Sequence, residues 1–155
     1  MITNVHATGL VLWGTGIVIQ GPSGSGKSLL ALQCLDRFPG EAQLVADDRL
    51  DLEVTAEGLI MRAPPAIAGL IELRGLGLVR RDHLPRARVD LVVDLVDHFE
   101  RMPEPSAFQT SLLGVTVGRC PMPRRGLVDP DHQMLILREC VKSPGFLASL
   151  AENTT

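Results

Sequence analysis

The residues with the clearest chemical potential form a short loop of glycines and serines around one lysine. The loop reads Gly21, Pro22, Ser23, Gly24, Ser25, Gly26, Lys27 and Ser28. This order satisfies the pattern G-x-x-x-x-G-K-[ST], in which glycines let the backbone N–H groups surround phosphate oxygens. The lysine of such a loop reaches the β- and γ-phosphates, and the hydroxyl that follows it binds Mg²⁺. The loop therefore predicts a site for Mg²⁺ and a nucleoside triphosphate, with a flexible glycine turn as the alternative.

A pair of acids, Asp47-Asp48, closes the apolar run "LVADD". A carboxylate at the end of a strand next to a phosphate loop is a frequent metal partner. The second carboxylate could take the proton from an acceptor hydroxyl. Successive residues of a strand point to opposite faces, so both acids enter one site only if the strand ends there. A solvated turn is the alternative interpretation.

The segment "IELRGLGLV" places Glu72 and Arg74 two residues apart. On an extended chain they share a face, because side chains alternate along a strand. A carboxylate beside a guanidinium suits a site that holds both a metal and phosphate. The spacing alone is more typical of an exposed ion pair beside a glycine turn.

The elements around the loop have the order that a phosphate loop requires. "GIVIQ" before it is an apolar run typical of a buried strand, and the leucines at 29, 30, 32 and 35 after it have helical spacing. "FPG" at 38–40 should end that helix. Upstream, "VHATGLVLWGTGIVIQG" predicts a β-hairpin with its turn at Gly14-Thr15-Gly16.

The rest of the chain is dominated by predicted strands. Hairpin strands are expected at "RLDLEVT" and "LIMRA", and further strands at "RVDLVVDLVD", "SLLGVTVG" and "HQMLILREC". "RMPEPSA" is a predicted loop, and residues 144–151 a short terminal helix. We therefore expect an α/β fold with a mixed sheet and flanking helices, as a single domain over residues 1–155.

The amino-acid composition argues against several classes of protein. A chain of 155 residues with 45% apolar and 21% charged residues is typical of a globular, soluble domain. It has no apolar run of bilayer length and no N-terminal secretory signal, which argues against a membrane protein. The net charge of −3 argues against nucleic-acid binding. The three cysteines form no C-x-x-C pair, so we expect buried, reduced thiols in a cytoplasmic protein.

The loop, then "LVADDRLDL", then "APPAIAGLIELRGLGLV", resembles the HPr kinase/phosphorylase family over roughly residues 4–102. The resemblance implies a P-loop kinase core similar to that of phosphoenolpyruvate carboxykinase. It implies ATP and Mg²⁺ as cofactors and a serine of HPr, the phosphocarrier protein of the sugar phosphotransferase system, as acceptor. It also implies a reverse phosphorylase reaction in many members and a homo-oligomer, commonly a hexamer. The chain is similar to the short proteobacterial form, which lacks the extra N-terminal domain of longer members.

The same resemblance implies roles for residues at matching positions. His6, in "VHATG", falls where the family has an active-site histidine. One aspartate of the acidic pair should be the base that activates the protein serine, and Asp48 is favoured over Asp47, which is left for the metal. Glu72 matches a magnesium-associated glutamate.

The resemblance also implies roles for two arginines. Arg74 lies in the segment tied to both activities, and Arg101, in "FERMP", matches a catalytic arginine. The family's C-terminal loop, of the form "PV-[RK]-x-GRN", is not recognisable. In its place stands "CPMPRRGLVDPD", with Arg124 and Arg125 but no asparagine. Since the family's loop is linked to dephosphorylation and to HPr contact, the sequence leaves both properties open.

Two other functions remain compatible with these residues. The first is a P-loop kinase for another protein or for a small-molecule acceptor. The second is a nucleotide-sensing regulator without transfer activity, although the presence of both aspartates, Lys27 and Glu72 argues against it. The identity of the labelled acceptor, or tight ATP binding without turnover, would distinguish these alternatives.

Overall fold

The computed structural model describes residues 1–142, which form twelve strands and two α-helices. The helices are α1 (Lys27–Arg37) and α2 (Pro130–Lys142). The strands are β1 (Ile2–Val5), β2 (Thr8–Leu12), β3 (Thr15–Gln20), β4 (Ala42–Ala46), β5 (Leu50–Thr55), β6 (Gly58–Arg62), β7 (Leu70–Leu73), β8 (Gly77–Arg80), β9 (Arg86–Arg88), β10 (Leu91–Val96), β11 (Gln109–Leu112) and β12 (Val115–Pro123). Short 3₁₀ turns lie at Pro65–Ile67 and Pro105–Phe108.

The central sheet has six strands in the order β11-β12-β10-β3-β2-β4. Strand β10 is parallel to β3 and β12, whereas β2 is antiparallel to β3 and β4, and β11 to β12. Because β2 reverses direction between its neighbours, β3 and β4 run the same way. The carboxyl ends of β3, β4, β10 and β12 therefore meet at one edge, the place where open α/β sheets bind ligands. The predicted mixed sheet with flanking helices is confirmed.

The central sheet is buried on both faces. On β3, Ile17 and Ile19 pack into the cluster that includes Leu30 of α1 and Leu137 of α2. Val18, between them, packs into a second cluster with residues of the other large sheet. That sheet is fully antiparallel, in the order β1-β5-β6-β9. Side chains alternate along a strand, so one apolar strand supplies both cores of a three-layer domain.

Strands β7 and β8 form a separate two-stranded hairpin that packs against α1. Ile71 is fully buried and anchors the hairpin to the core. The far end of the hairpin is open to solvent, since Leu76 and Leu78 are 74% and 69% exposed. The hairpin is therefore held at its base and free at its tip.

The structure confirms most local expectations and corrects some of them. The hairpins β2–β3 and β5–β6 are confirmed, but the turn of the first lies at Trp13-Gly14, because Thr15 and Gly16 already belong to β3. "SLLGVTVG", expected as one strand, contains the turn of a hairpin, since β11 ends at Leu112 and β12 begins at Val115. "HQMLILREC" was expected to be a strand and is wrong: these residues lie in α2. Its buried residues are spaced at helical intervals, namely Gln133, Met134, Leu137, Cys140 and Val141. The helix predicted over residues 144–151 lies outside the described residues.

The start of α2 explains why this segment is helical. Asp129 accepts the His132 backbone N–H at 2.8 Å through its side chain, as an N-cap residue does. Pro130 occupies the first helical position, where its missing N–H costs no hydrogen bond. The four consecutive apolar residues "MLIL" obscure the 3.6-residue period of the helix. The signal for the start of the helix, "DPD", lies just before them in the sequence.

The cysteines and the helices bear on two further expectations. The three cysteines are free and buried, as expected, and burial raises the pKa of the Cys34 thiol to about 12. That thiol is therefore protonated and unreactive at neutral pH.

Among the described residues, neither helix has the length and hydropathy needed to cross a bilayer.

Candidate functional site

The glycine-rich loop joins the end of β3 to the start of α1, as the sequence predicts. Gly24 and Gly26 have φ of 80° and 98°, a left-handed conformation that residues with a side chain rarely adopt. Gly21 lies so close to its neighbours that a Cβ there would be 2.8 Å from Ser25 Oγ. The loop and the N-terminus of α1 therefore form a concave surface of backbone suited to anions.

Two polar side chains of this loop are almost fully buried. Lys27 is 8% exposed, and its Nζ donates to the carbonyl oxygens of Gly21 at 2.9 Å and Pro22 at 3.2 Å. Ser25 is also 8% exposed, and its hydroxyl has no hydrogen-bond partner within residues 1–142. A buried hydroxyl without a partner is unfavourable, so this group fits a ligand that supplies an acceptor oxygen.

Asp47 is the most constrained acid of the site. Strand β4 ends at Ala46, and the Asp47 side chain that follows is only 6% exposed. Its Oδ1 accepts the hydroxyls of Ser28 at 2.7 Å and Thr8 at 2.9 Å, and its Oδ2 accepts the Glu72 backbone N–H at 3.1 Å. Three donors offset the cost of burying the carboxylate. Because Ser28 donates its proton to Asp47, its oxygen lone pairs remain free for a cation.

Asp48 has the opposite environment. Its side chain is 64% exposed, and its Oδ1 contacts Nε2 of His6, itself 48% exposed. The backbone at Asp48 is left-handed, with φ of 68°, which strains a residue that has a Cβ. Its N–H makes one long hydrogen bond to Thr8 Oγ1, at 3.5 Å. Since β4 has already ended, the turn brings both aspartates to the same site, which a continuing strand could not do.

Lys27, Ser28, His6 and Asp48 line one open cleft of about 530 Å³, whereas Asp47 and Thr8 are buried and are not among its lining residues. We call the hydrogen-bonded residues on one side of this cleft, namely Lys27, Ser28 and Asp47, the inner wall. We call its exposed side the rim, comprising His6, Asp48, Glu72, Arg74 and Arg125. Glu72 lies on β7 and Arg74 in the turn that follows, and both side chains line the cleft, as their shared parity predicts.

Four of the predicted site residues do not line the cleft. Asp47 is buried and reaches the site through its hydrogen bond with Ser28. Gly21 and Pro22 lie behind the cleft and contribute the carbonyl groups that bind Lys27. Arg101 is exposed in the segment after β10 and is not among the residues that border the cleft. Its proposed catalytic role remains a prediction based on resemblance alone.

The sequence interpretation missed two residues of the site. Thr8 is fully buried at the start of β2, and its only sequence signal is a polar residue within the apolar run "VHATGLVL". Arg125 follows the carboxyl end of β12 and reaches within 4.0 Å of where a Cβ on Gly26 would lie. Its neighbour Arg124 forms an ion pair with Asp97 instead. Only the arrangement of the strands shows which of the two arginines faces the cleft.

The chain shares sequence with known proteins over most of its length. The HPr kinase/phosphorylase of Bordetella pertussis is 42% identical over 118 residues, covering 65% of this chain and 36% of the relative. The HPr kinase/phosphorylase of Lacticaseibacillus casei is 37% identical over 101 residues, covering 63% of this chain and 31% of the relative. The chain thus spans about a third of the length of these curated relatives.

Structure and family comparisons agree with these relatives. The solved Hpr(Ser) kinase/phosphatase of Coxiella burnetii superposes with a TM-score of 0.74 at 28% identity, covering 95% of this chain and 96% of that one. Residues 1–124 match the family described as the HPr Serine kinase C-terminal domain. This match includes the phosphate loop, both aspartates, the β7–β8 hairpin and the end of β12, so the chain belongs to the HPr serine kinase C-terminal domain family.

Proposed function

We propose that this chain carries the phosphoryl-transfer site of an ATP-dependent kinase that phosphorylates a serine of an HPr-like phosphocarrier protein. One observation carries the proposal: a buried aspartate accepts the hydroxyl of the phosphate-loop serine, and the next residue is a second, exposed aspartate that lines the cleft. A metal–nucleotide and a hydroxyl acceptor require these two different environments. The acceptor is inferred from the relatives, whose names identify HPr kinases.

The donors in the cleft fit Mg²⁺ and the phosphates of ATP. Mg²⁺ prefers oxygen ligands and usually keeps several waters and phosphate oxygens. Within residues 1–142 there is no group of three or more acidic, histidine or cysteine side chains arranged to hold a metal, which agrees with a shared coordination sphere. Ser28, Asp47 and Glu72 would hold the ion. When bound, it would neutralise charge on the phosphates.

The protein's own groups would each perform one task in the transfer. A serine hydroxyl is a weak nucleophile at neutral pH, so Asp48 would accept its proton as the new O–P bond forms. His6 would hold the Asp48 carboxylate in place through the contact that the two side chains make. The Lys27 ammonium and the guanidinium groups of Arg74 and Arg125 would offset the charge of the transferred phosphoryl group.

The proposal also covers the reverse reaction, the oligomeric state and the cellular location of the protein. In the phosphorylase direction the same Asp48 would return the proton to the serine oxygen as inorganic phosphate takes the phosphoryl group, by microscopic reversibility. We propose a homo-oligomer on the basis of the family resemblance, measurable by sedimentation velocity. We propose a cytoplasmic location because all three thiols are free and buried.

The decisive experiment is mass spectrometry of HPr after incubation with this protein and Mg-ATP. We expect one added phosphoryl group on an HPr serine. Asp48→Asn should lower the rate by about 10²–10⁴-fold, because the substitution removes the general base. Asp36→Asn, at an exposed position of α1, is the matched control and should leave the rate unchanged.

Three outcomes would count against the proposal. Unmodified HPr combined with transfer to another acceptor would redirect it to a different kinase. Tight Mg-ATP binding with no transfer to any acceptor would indicate a nucleotide sensor. An Asp48→Asn protein as active as the native chain would remove Asp48 as the base.

A further inference from the structure

Thr8 is a buried hydroxyl that contacts both aspartates of the site. It is 0% exposed, and its Oγ1 donates to Asp47 Oδ1 at 2.9 Å. The same oxygen accepts the Asp48 backbone N–H at 3.5 Å. A hydroxyl has one proton and two lone pairs, so it can satisfy both contacts at once. One side chain on β2 therefore joins the fixed acid of the inner wall to the open acid of the rim.

Two hydrogen bonds hold the Asp48 backbone in its left-handed shape: within the turn the Arg49 N–H donates to the Asp47 carbonyl oxygen at 2.7 Å, and the Asp48 N–H donates to Thr8 Oγ1. Asp48 has a φ of 68°, and strained residues persist only where their surroundings over-determine them. Its side chain is mostly exposed and contacts His6, a residue of the rim that is itself half-exposed. The first of these bonds is local to the turn, so the buried Thr8 hydroxyl on β2 is the contact that joins the Asp48 backbone to another part of the fold.

Asp47, in contrast, is held by several hydrogen bonds in addition to the one from Thr8. Besides Thr8, it accepts hydrogen bonds from the Ser28 hydroxyl at 2.7 Å and the Glu72 N–H at 3.1 Å. Loss of the Thr8 hydroxyl would leave two of its three donors in place. The phosphate-binding backbone and Lys27 make no hydrogen bond to Thr8 among the described residues. The effect of removing the hydroxyl should therefore fall on Asp48.

We propose that Thr8 is a positioning residue that sets the angle of the Asp48 turn relative to Asp47, and thereby aligns the base with the acceptor serine. This inference rests on the proposed kinase function. It predicts that loss of the Thr8 hydroxyl lowers the rate of phosphoryl transfer but hardly changes ATP binding, because Thr8 supports the base without contributing to the phosphate loop. Thr8 itself would touch neither ATP nor the acceptor.

The test compares Thr8→Val, which keeps the shape and removes the hydroxyl, with Thr8→Ser, which keeps the hydroxyl. We expect Thr8→Val to lower kcat for HPr phosphorylation by about 10- to 100-fold, as loss of a supporting contact does. The KM for ATP should change far less. Thr8→Ser should recover most of kcat. Thr116→Val, on an exposed part of β12, is the matched control and should behave as the native chain.

Amide hydrogen exchange gives a second measurement that does not depend on turnover. In Thr8→Val the Asp48 amide should exchange about tenfold faster, while amides of the β3 ladder stay protected. If Thr8→Val does not fold, Thr8→Ala with the same two measurements takes its place. If the native chain does not phosphorylate HPr, the proposed function fails, whereas the exchange result still tests the Thr8 contact.

Two results would overturn the inference itself. One is a Thr8→Val protein with native kcat and native exchange at the Asp48 amide. The other is equal loss of kcat in Thr8→Val and Thr8→Ser, because the hydroxyl would then be irrelevant and only packing would matter.

Discussion

The inner wall and the rim of the cleft are built differently, although both contain charged groups. Lys27 and Asp47 of the inner wall are 8% and 6% exposed, and each is bound by fixed partners. On the rim, Asp48 is 64% exposed, and Glu72, Arg74 and Arg125 are exposed as well. Neither arginine of the rim forms an ion pair with any residue between 1 and 142.

This difference in exposure gives the inner wall and the rim different tasks. Groups fixed in a site of low dielectric act on charge without reorganising, so the inner wall would be preorganised for the proposed metal–nucleotide. Exposed charges are strongly solvated and interact weakly until a ligand excludes water. Under the proposed function, the rim would acquire its full electrostatic effect only when nucleotide and acceptor protein cover it. We infer that substitutions on the inner wall should cost more activity than removal of an arginine charge from the rim.

The largest contrast involves the only two lysines of the chain. Lys27→Ala removes the buried ammonium of the inner wall and should lower the transfer rate by about 10²–10³-fold, as loss of a preorganised donor does. Lys142→Ala is the control, because Lys142 lies at the end of α2, near the Trp13 ring, and should leave transfer unchanged. Rates of ³²P transfer from ATP measure both. Similar rates for the two variants would refute the assignment of the phosphate loop.

A smaller effect is expected on the rim. Arg125→Ala should lower the transfer rate by about 10- to 100-fold, the usual range for losing one hydrogen bond to a charged group. Arg124→Ala removes the adjacent arginine, which is paired with Asp97, and should affect the rate much less. The same transfer assay measures both variants. If Arg124→Ala were the slower protein, the orientation of this loop would have to be reassigned.

The smallest expected effect is on the free energy of unfolding, and it tests whether the left-handed backbone of Asp48 on the rim is strained. Asp48→Gly relieves a left-handed backbone and should stabilise the fold by about 1 kcal/mol, or roughly 3 °C in Tm, while abolishing transfer. Leu113→Gly makes the same change at φ of 51°, in the exposed β11–β12 turn, and should stabilise the fold with transfer intact. Thermal unfolding and the transfer assay together measure both. A destabilised Asp48→Gly protein would show that its carboxylate contact with His6 outweighs the strain.

Sequence reasoning succeeded where function depends on neighbouring residues. The phosphate loop is a local structure, since its glycine conformations and the helix that follows lie within one short segment. The β7–β8 hairpin is local too, so the shared face of Glu72 and Arg74 could be predicted from their spacing. Each of these predictions used a periodicity that the backbone itself imposes.

The failures have a different cause. The segment 132–140 contains an apolar run that fits either a strand or a buried helix, and packing of Met134 and Leu137 against the central sheet selects the helix. Arg125, which the sequence interpretation did not assign to the site, follows a strand of the central sheet, and only strand order shows that it reaches the cleft. Local pattern carries no information on that order.

The sequence by itself determined the chemical groups available to this protein: a glycine-rich loop, a lysine, a serine hydroxyl and a pair of acids. The tertiary structure alone decided how the two acids differ. They are adjacent and chemically identical, yet β4 ends before them, and the Thr8 and Ser28 hydroxyls and the Glu72 amide converge on one of them. The physical reason is that burial and hydrogen bonding depend on distant segments brought together by folding, and these two terms separate a fixed, paired carboxylate from an open one.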